Sequence, residues 1–198
     1  MLLRAYVHAR ALARASLRRP SIDAYACKPD ERIASVSRTI PHDHLQREIY
    51  GVALEWPLEV IQAYIPVLLK IVGGDGEVSD MEWDYLLGRA RAMGIPDELI
   101  HSWTLIDHHE VDLKSAVQKL YEVAGSDGSY AFLYDAIKVS SADGYHEAER
   151  ELLLAAAETL EIPLALVQQI EALVRIEEQV RRMRVELLYP QRTKFHNG

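Results

Sequence analysis

Residues 67–96 read VLLKIVGGDGEVSDMEWDYLLGRARAMGIP, and residues 135–163 read DAIKVSSADGYHEAERELLLAAAETLEIP. Each stretch contains an apolar helical segment, an Asp-Gly turn, an acidic helix start, a second apolar helix and an Ile-Pro restart. The distance from the Asp of the turn to the final Pro is 21 positions in the first stretch and 20 in the second. A repeat of this kind predicts a pseudo-symmetric helical core in which two helix-turn-helix units pack on each other.

Helical periodicity continues on both sides of the repeats, and alternating β-branched runs typical of strands do not occur. The predicted helices span 58–72, 79–93, 113–124, 131–142 and 147–160, with a short further helix that opens at Pro96. Gly125 is expected to end the helix before it, and Asp127-Gly128 is expected to form a loop. We therefore predict an all-α fold, a compact helical bundle.

The last predicted helix is long, from Leu164 to Leu188, and Tyr189-Pro190 is expected to end it. Apolar residues follow one another along it at spacings of three and four, at 166, 170, 173, 176, 180, 183 and 187. Such a seam is typical of a coiled coil. We interpret it as a cover for the core, and a surface for self-association or for another protein is the alternative.

The chain is expected to divide into a basic N-terminal segment with an irregular linker (1–48), one helical domain (49–189) and a flexible tail (190–198). Residues 1–22 contain five arginines and no acid. They fit an organelle-targeting peptide in residues 1–19, a helix on an anionic membrane surface, or a surface helix without either role. In His42-Asp43-His44, Asp43 is expected to cap a helix, and metal binding by the two histidines is the alternative.

Composition limits the function classes. The chain has 198 residues and a net charge of −8, which argues against a general nucleic-acid-binding protein. A single cysteine, Cys27, excludes an internal disulfide framework and a cysteine-rich metal site. No run of 18 apolar residues occurs, so no bilayer-spanning helix is expected, and we expect a cytoplasmic protein.

The first Asp-Gly turn matches only the second half of an EF-hand loop, from Asp75 to Glu82. Ile71 and Gly73 occupy the positions where the first two side-chain oxygens are required, so an EF-hand is excluded. A structural role is clear for part of the motif, because Ser79-Asp-Met-Glu82 has the pattern of a capping box.

Helix caps explain the turn aspartates less well, because a carboxylate near a helix C-terminus meets the unfavourable end of the helix dipole. If the core is pseudo-symmetric, Asp75 and Asp143 converge, and adjacent carboxylates repel unless a cation or a proton neutralises one of them. We therefore predict a divalent-cation site formed by Asp75 and Asp143 with Glu82 and Glu149. The alternative is that these are solvated turn acids.

A second group of possible ligands is Asp107-His108-His109-Glu110-Val-Asp112, in which His108 or His109 with Asp112 has zinc-binding chemistry. We interpret it as a polar loop, because the HExxH spacing is absent. Serine-hydrolase and phosphate-loop motifs are also absent, so no catalytic residue is predicted.

The doubled motif, GGDGEVSDMEWDYLL and SADGYHEAERELL, resembles the tellurite-resistance TerB-like family over roughly Leu58–Val174. The same helical domain precedes the J domain in some membrane-anchored co-chaperones. The resemblance implies an all-α bundle with acidic clusters, a link to tellurite, metal or oxidative stress and to membrane-associated complexes, and no established catalysis. The acidic positions of the family fall on Asp75, Glu82, Asp143 and Glu149.

We therefore expect a non-enzymatic TerB-like protein that acts as a metal-responsive or scaffolding module through its acidic turns. Two alternatives remain at this stage. One is a metal-dependent hydrolase with carboxylate ligands in the helical core, and the other is a peripheral membrane adaptor that uses residues 1–22.

Overall fold

The computed structural model describes residues 40–53 and 56–193. Its helices are α1 (Ile40–Tyr50), α2 (Leu58–Val72), α3 (Asp80–Ala92), α4 (Asp97–Trp103), α5 (Leu113–Ser140), α6 (Glu147–Thr159), α7 (Leu164–Leu188) and the short α8 (Pro190–Thr193). Single 3-10 turns lie at Gly73–Asp75 and His108–Glu110. Within the described residues there is no strand, so the all-α prediction is confirmed.

The centre of the bundle is the packing of α2 against α5. Both helices are apolar on the faces that meet, and Leu68, Phe132 and Leu133 are completely buried there. Burying one such side chain contributes about 1.5–3 kcal/mol, which favours the association of these two helices over exposure of either face. The turn after α2 leads into α3 and the turn after α5 leads into α6, which gives the repeated helix-turn-helix arrangement that the sequence predicts.

The N-terminal boundary differs from the prediction. Helix α1 begins at Ile40, so the last part of the expected linker is helical and the boundary at residue 48 falls inside this helix. Gln46 is completely buried, and the hydroxyl of Tyr50 donates a hydrogen bond to Asp135 at 2.7 Å. These two residues are four positions apart and share one helix face, a polar face that a search for apolar periodicity misses. Asp43 lies in the first turn of α1 and is not its N-cap.

The expected loop at Asp127-Gly128 is also wrong. Gly125 has non-helical backbone angles, φ 66° and ψ −167°, which fits its predicted role as a helix end. The helix resumes immediately after it, so no loop forms at Asp127-Gly128. A Cβ on Gly128 would lie 2.5 Å from the Cβ of Ala124. Gly128 therefore serves close packing across the break, and the second part of α5 begins before the predicted start at Ala131.

Helix α7 has the predicted bounds, and only its first part packs on the core, where Val167 and Val174 are buried. Every described residue from 179 to 191 is exposed. Pro190–Thr193 adds one helical turn where a flexible tail is expected. None of the described helices is long and apolar enough to cross a membrane. The expectations for residues 1–22 and for Cys27 lie outside the described residues.

Candidate metal centre

The two repeats place a glutamate at the same position of two helices. At the start of α3, the amide of Glu82 donates to Oγ of Ser79 at 3.2 Å, and the amide of Ser79 donates to Oε2 of Glu82 at 2.8 Å. This is the predicted capping box. At the start of α6, the amide of His146 donates to Oε2 of Glu149 at 2.7 Å. Both glutamates are thus the third residue of their helix, and in each the Oε2 atom is held by the backbone.

A glycine without room for a side chain brings the two helix starts together. A Cβ on Gly74 would lie 2.8 Å from Cδ1 of Leu152, 3.1 Å from Cα of Glu149 and 3.2 Å from the carbonyl oxygen of Ala148. The 3-10 turn after α2 therefore packs directly on the backbone at the start of α6. In this arrangement the carboxyl groups of Glu82 and Glu149 lie close enough together that each affects the pKa of the other.

The pair is buried, with Glu82 exposed by 2% and Glu149 by 0% of its surface. Burial, together with the neighbouring Glu149, raises the pKa of Glu82 to about 8. Burial also raises the pKa of Glu149. Two carboxylates in contact cannot both stay ionised at low cost, so at neutral pH the pair holds one proton between them.

Two polar atoms beside this pair lack partners. Oε1 of Glu149 and Oγ of Ser140 are buried, and neither has a hydrogen-bond partner of acceptable geometry in the described part of the chain. Ser140 is the last residue of α5, is fully buried and lies close enough to Glu149 to affect its pKa. A buried polar atom without a well-formed hydrogen bond costs up to about 1–3 kcal/mol, so this is a place where an added cation or a water would be stabilised.

The turn aspartates lie at the exposed edge of the pair. Asp75 raises the pKa of Glu149 and Asp143 raises the pKa of Glu82, so each aspartate acts on the glutamate of the other repeat. Oδ2 of Asp75 is 3.8 Å from Nε2 of His146. The four predicted residues thus lie in one region of the molecule. The glutamates are in direct contact, and the aspartates are farther away.

The second predicted group forms differently from the expectation. Among the described residues, only Asp107, His108 and His109 bring three possible ligand atoms within 4.8 Å of one another. Asp112 does not join them, because its Oδ2 accepts a hydrogen bond from the amide of Ser115 at 3.0 Å and caps α5. His44 is exposed on α1, and the side chain of His42 lies outside the described part of the chain.

The structure also contains a buried polar cluster that the sequence does not predict. Asp135 accepts hydrogen bonds from the hydroxyls of Tyr50 and Tyr64 at 2.7 and 2.6 Å and forms an ion pair with Arg89. Arg89 also donates to the hydroxyl of Tyr50. These four residues border a largely apolar cavity of about 80 Å³ that Trp56, Leu86 and Trp103 help to line. The sequence signal that indicates this cluster is Asp135, a single acidic residue within the apolar pattern of α5.

Comparison with known proteins gives one informative match. No protein-family model matches the chain, and no curated protein does. In a solved crystal structure, a tellurite resistance protein of Nostoc punctiforme is similar to it, with a TM-score of 0.63 at 26% sequence identity. The match covers 76% of this chain and 92% of that one. This similarity confirms the resemblance carried by the doubled motif: the chain has the fold of the tellurite-resistance TerB-like family.

Proposed function

We propose that the protein is a non-enzymatic, metal-responsive TerB-like protein of the cytoplasm, in which a divalent cation binds at the Glu82–Glu149 pair. The exposed acids Asp75 and Asp143 attract the cation and complete its surroundings through water. Resistance to tellurite or a related stress is the expected physiological role, because the solved relative carries that description.

The main support is the buried pair itself. Two glutamates from different repeats lie together, and the buried Oε1 of Glu149 has no hydrogen bond of acceptable geometry in the described part of the chain, with the Ser140 hydroxyl and the Glu82 carboxyl group as its neighbours. The hydrogen bonds described above bring no arginine or lysine to these two carboxyl groups, and His146 contacts Glu149 through its backbone amide. A like-charged pair without a counter-charge requires a proton or a cation. Carboxylate oxygens are the ligands that Ca²⁺, Mg²⁺ and Mn²⁺ prefer.

The shared proton makes cation binding depend on pH. A cation must displace the proton, so its affinity rises between neutral pH and the pKa of Glu82, about 8, and each bound ion releases about one proton. A cation held only by exposed turn acids would release no proton in this range, because exposed carboxyl groups are already ionised there.

The direct test is thermal unfolding followed by tryptophan fluorescence, with Ca²⁺, Mg²⁺, Mn²⁺ and Zn²⁺ titrated separately against a chelator. Trp83 is adjacent to Glu82 in the chain and reports on the site. A cation at 100 times its dissociation constant stabilises the folded state by about 2.7 kcal/mol, which is a readily measured shift. We expect one of these ions to give such a shift at pH 8 and a smaller one at pH 6.

The variants are matched by position. Glu82→Gln with Glu149→Gln removes both charges of the pair, whereas Asp80→Asn with Glu147→Gln removes one exposed acid from the first turn of each of the same helices. The proposal requires that the first double variant loses the shift and the second keeps it. An equal loss in both variants would mean that general acidity, not the buried pair, attracts the ion.

A second candidate is zinc at Asp107, His108 and His109, favoured by the closeness of their ligand atoms. Burial and the neighbouring His109 lower the pKa of His108, which keeps its imidazole in the neutral, metal-binding form. We would assign zinc to this loop if the zinc-induced shift in the unfolding temperature persists in Glu82→Gln/Glu149→Gln and disappears in His108→Ala/His109→Ala.

The hydrolase alternative has less support. It needs at least three ligands around one ion in the helical core, and the glutamate pair supplies two. The membrane alternative depends on residues 1–22, and binding to anionic vesicles with and without these residues would test it.

A further inference from the structure

The end of α7 is a helix without a partner in the described part of the chain. From residue 179 onward all of its residues are exposed, including Val180, Met183, Leu187 and Leu188. A helix of about three turns is only marginally stable in water without tertiary contacts. Its apolar side chains therefore favour association with another surface.

Five of the exposed apolar residues of α7 follow a heptad pattern. Leu173, Ile176, Val180, Met183 and Leu187 are spaced 3-4-3-4 and occupy alternating a and d positions. Their exposed fractions lie between 47% and 75%. Ile176 is rotated by about 200° from the buried Val174, so this stripe lies on the side of α7 away from the bundle. Leu166 and Ile170, the first two residues of the predicted seam, pack against the core as expected, whereas the stripe from Leu173 to Leu187 is a coiled-coil seam that the described part of the fold does not use.

We propose that a second copy of this chain occupies the seam in an antiparallel orientation, with Val180 packed against the partner's Met183 and Ile176 against the partner's Leu187. Each layer then contains one a and one d residue, as antiparallel two-stranded coiled coils require. The dimer goes beyond the proposed function and does not depend on the cation.

Charge complementarity favours this partner and this orientation. The register places Glu177 beside the partner's Arg184, and the two-fold symmetry repeats this pair with the two chains exchanged. It also places Gln179 beside the partner's Glu186. In a parallel dimer the same flanking positions would bring Gln179 to the partner's Arg184 and form no ion pair.

Glu177 is held in place for this contact. Its Oε2 accepts hydrogen bonds from the hydroxyl of Tyr134 at 2.7 Å and from Nζ of Lys138 at 3.1 Å. Its side chain is still one-third exposed. The N-terminal segment is a poorer occupant than a second copy, because its five arginines in residues 1–22 repel the three arginines of residues 179–189 more strongly than a second copy of residues 179–189 does, which also carries one glutamate.

The first experiment is sedimentation equilibrium of the full chain over a wide concentration range. Val180→Glu is compared with Val185→Glu, the same substitution at an exposed position outside the seam. We expect a dimer for the wild type and for Val185→Glu, and at least a tenfold weaker dimer for Val180→Glu. A monomeric wild type, or equal weakening by both substitutions, would overturn the proposal.

Orientation is tested by disulfide cross-linking in a Cys27→Ser background. A mixture of Ile176→Cys and Leu187→Cys chains is expected to form a mixed cross-link, whereas Leu187→Cys alone forms little. Efficient cross-linking of Leu187→Cys to itself would indicate a parallel pair and contradict the register. The Glu82→Gln/Glu149→Gln variant is expected to dimerise like the wild type, so the two proposals can fail separately.

Discussion

The protein contains two buried polar clusters that differ in one respect. In the first, Asp135 faces Arg89 and two tyrosine hydroxyls, so the negative charge has its counter-charge and donors within the chain. In the second, Glu82 faces Glu149, and the described side chains that act as hydrogen-bond neighbours of Glu149, those of Glu82 and Ser140, carry no positive charge. The first cluster is complete, and the second requires a proton or a cation from outside.

The difference separates a structural role from a binding role. A compensated cluster stabilises one arrangement of α1, α2, α3 and α5, and nothing that binds from solution is needed for it. An uncompensated pair stores unfavourable electrostatic energy that binding can release. The same reasoning predicts opposite signs for mutations that remove charge from the two clusters.

The largest effect is expected for Asp135→Ala. It leaves Arg89 buried without its counter-ion and two tyrosine hydroxyls without an acceptor, so the free energy of unfolding should fall by about 3–5 kcal/mol. Urea denaturation followed by circular dichroism measures it. The control is Arg89→Met/Asp135→Leu, which removes both charges and should recover part of the loss. A double variant as unstable as the single one would mean that packing, not charge compensation, dominates this cluster.

The next effect is expected at the contact that brings the glutamates together. In Gly74→Ala the new Cβ meets the backbone of Glu149 and Ala148, which cannot move independently of α6. We expect a loss of about 1–3 kcal/mol in the free energy of unfolding, as for other overpacked sites. The cation-induced shift in Tm should also weaken, since the helix starts are forced apart. Gly88→Ala in α3, where a Cβ has open space, is the control. An unchanged cation response would show that the close approach is not required for binding.

The pH dependence of stability tests the proton that the glutamate pair shares. Between the ordinary glutamate pKa of 4.5 and about 8, the folded state holds a proton on Glu82 that the unfolded state has lost. The free energy of unfolding therefore falls as pH rises through this window, by at most about 1.4 kcal/mol per pH unit. In Glu82→Gln the side-chain amide donates a hydrogen bond in place of the protonated carboxyl group. The free energy of unfolding should therefore change less with pH, and at pH 8 it should be higher than in the wild type. The measurement is a series of urea titrations of chelator-treated protein from pH 5 to 8. A free energy of unfolding that falls more steeply with pH in the variant than in the wild type would contradict a shared proton.

The repeat explains why much of this was predictable. Caps, glycines and apolar spacing are local signals, and they gave the bounds of α2 and α7 and the capping box at Ser79. The four acids of the candidate site were predicted because the two turns share a pattern, and pseudo-symmetry makes equivalent positions converge. Which two would be in contact depends on the close approach at Gly74, a tertiary property that no single segment encodes.

The remaining features were not predictable for identifiable reasons. Asp135 and Arg89 are 46 positions apart, and nothing local indicates that they are paired. Helix α1 presents a polar face to the core, so apolar periodicity gives no signal for its extent, and the cap pattern at Asp43 placed its start too late. Asp127-Gly128 has turn composition, but Gly128 is needed for its small size inside a helix. In each case tertiary contacts override local preference.

The smallest predicted effect tests whether the cap of α3 and the binding pair are separable. Ser79→Ala removes the hydroxyl that accepts from the amide of Glu82 but leaves the amide of Ser79 to hold Oε2 of Glu82. The free energy of unfolding should fall by about 1 kcal/mol, as for other N-caps. The cation shift should persist, because both carboxyl groups remain in place. Loss of the cation-induced shift in Ser79→Ala would mean that the capping hydroxyl positions Glu82 for the cation. The helix cap and the cation site could then not be separated by mutation.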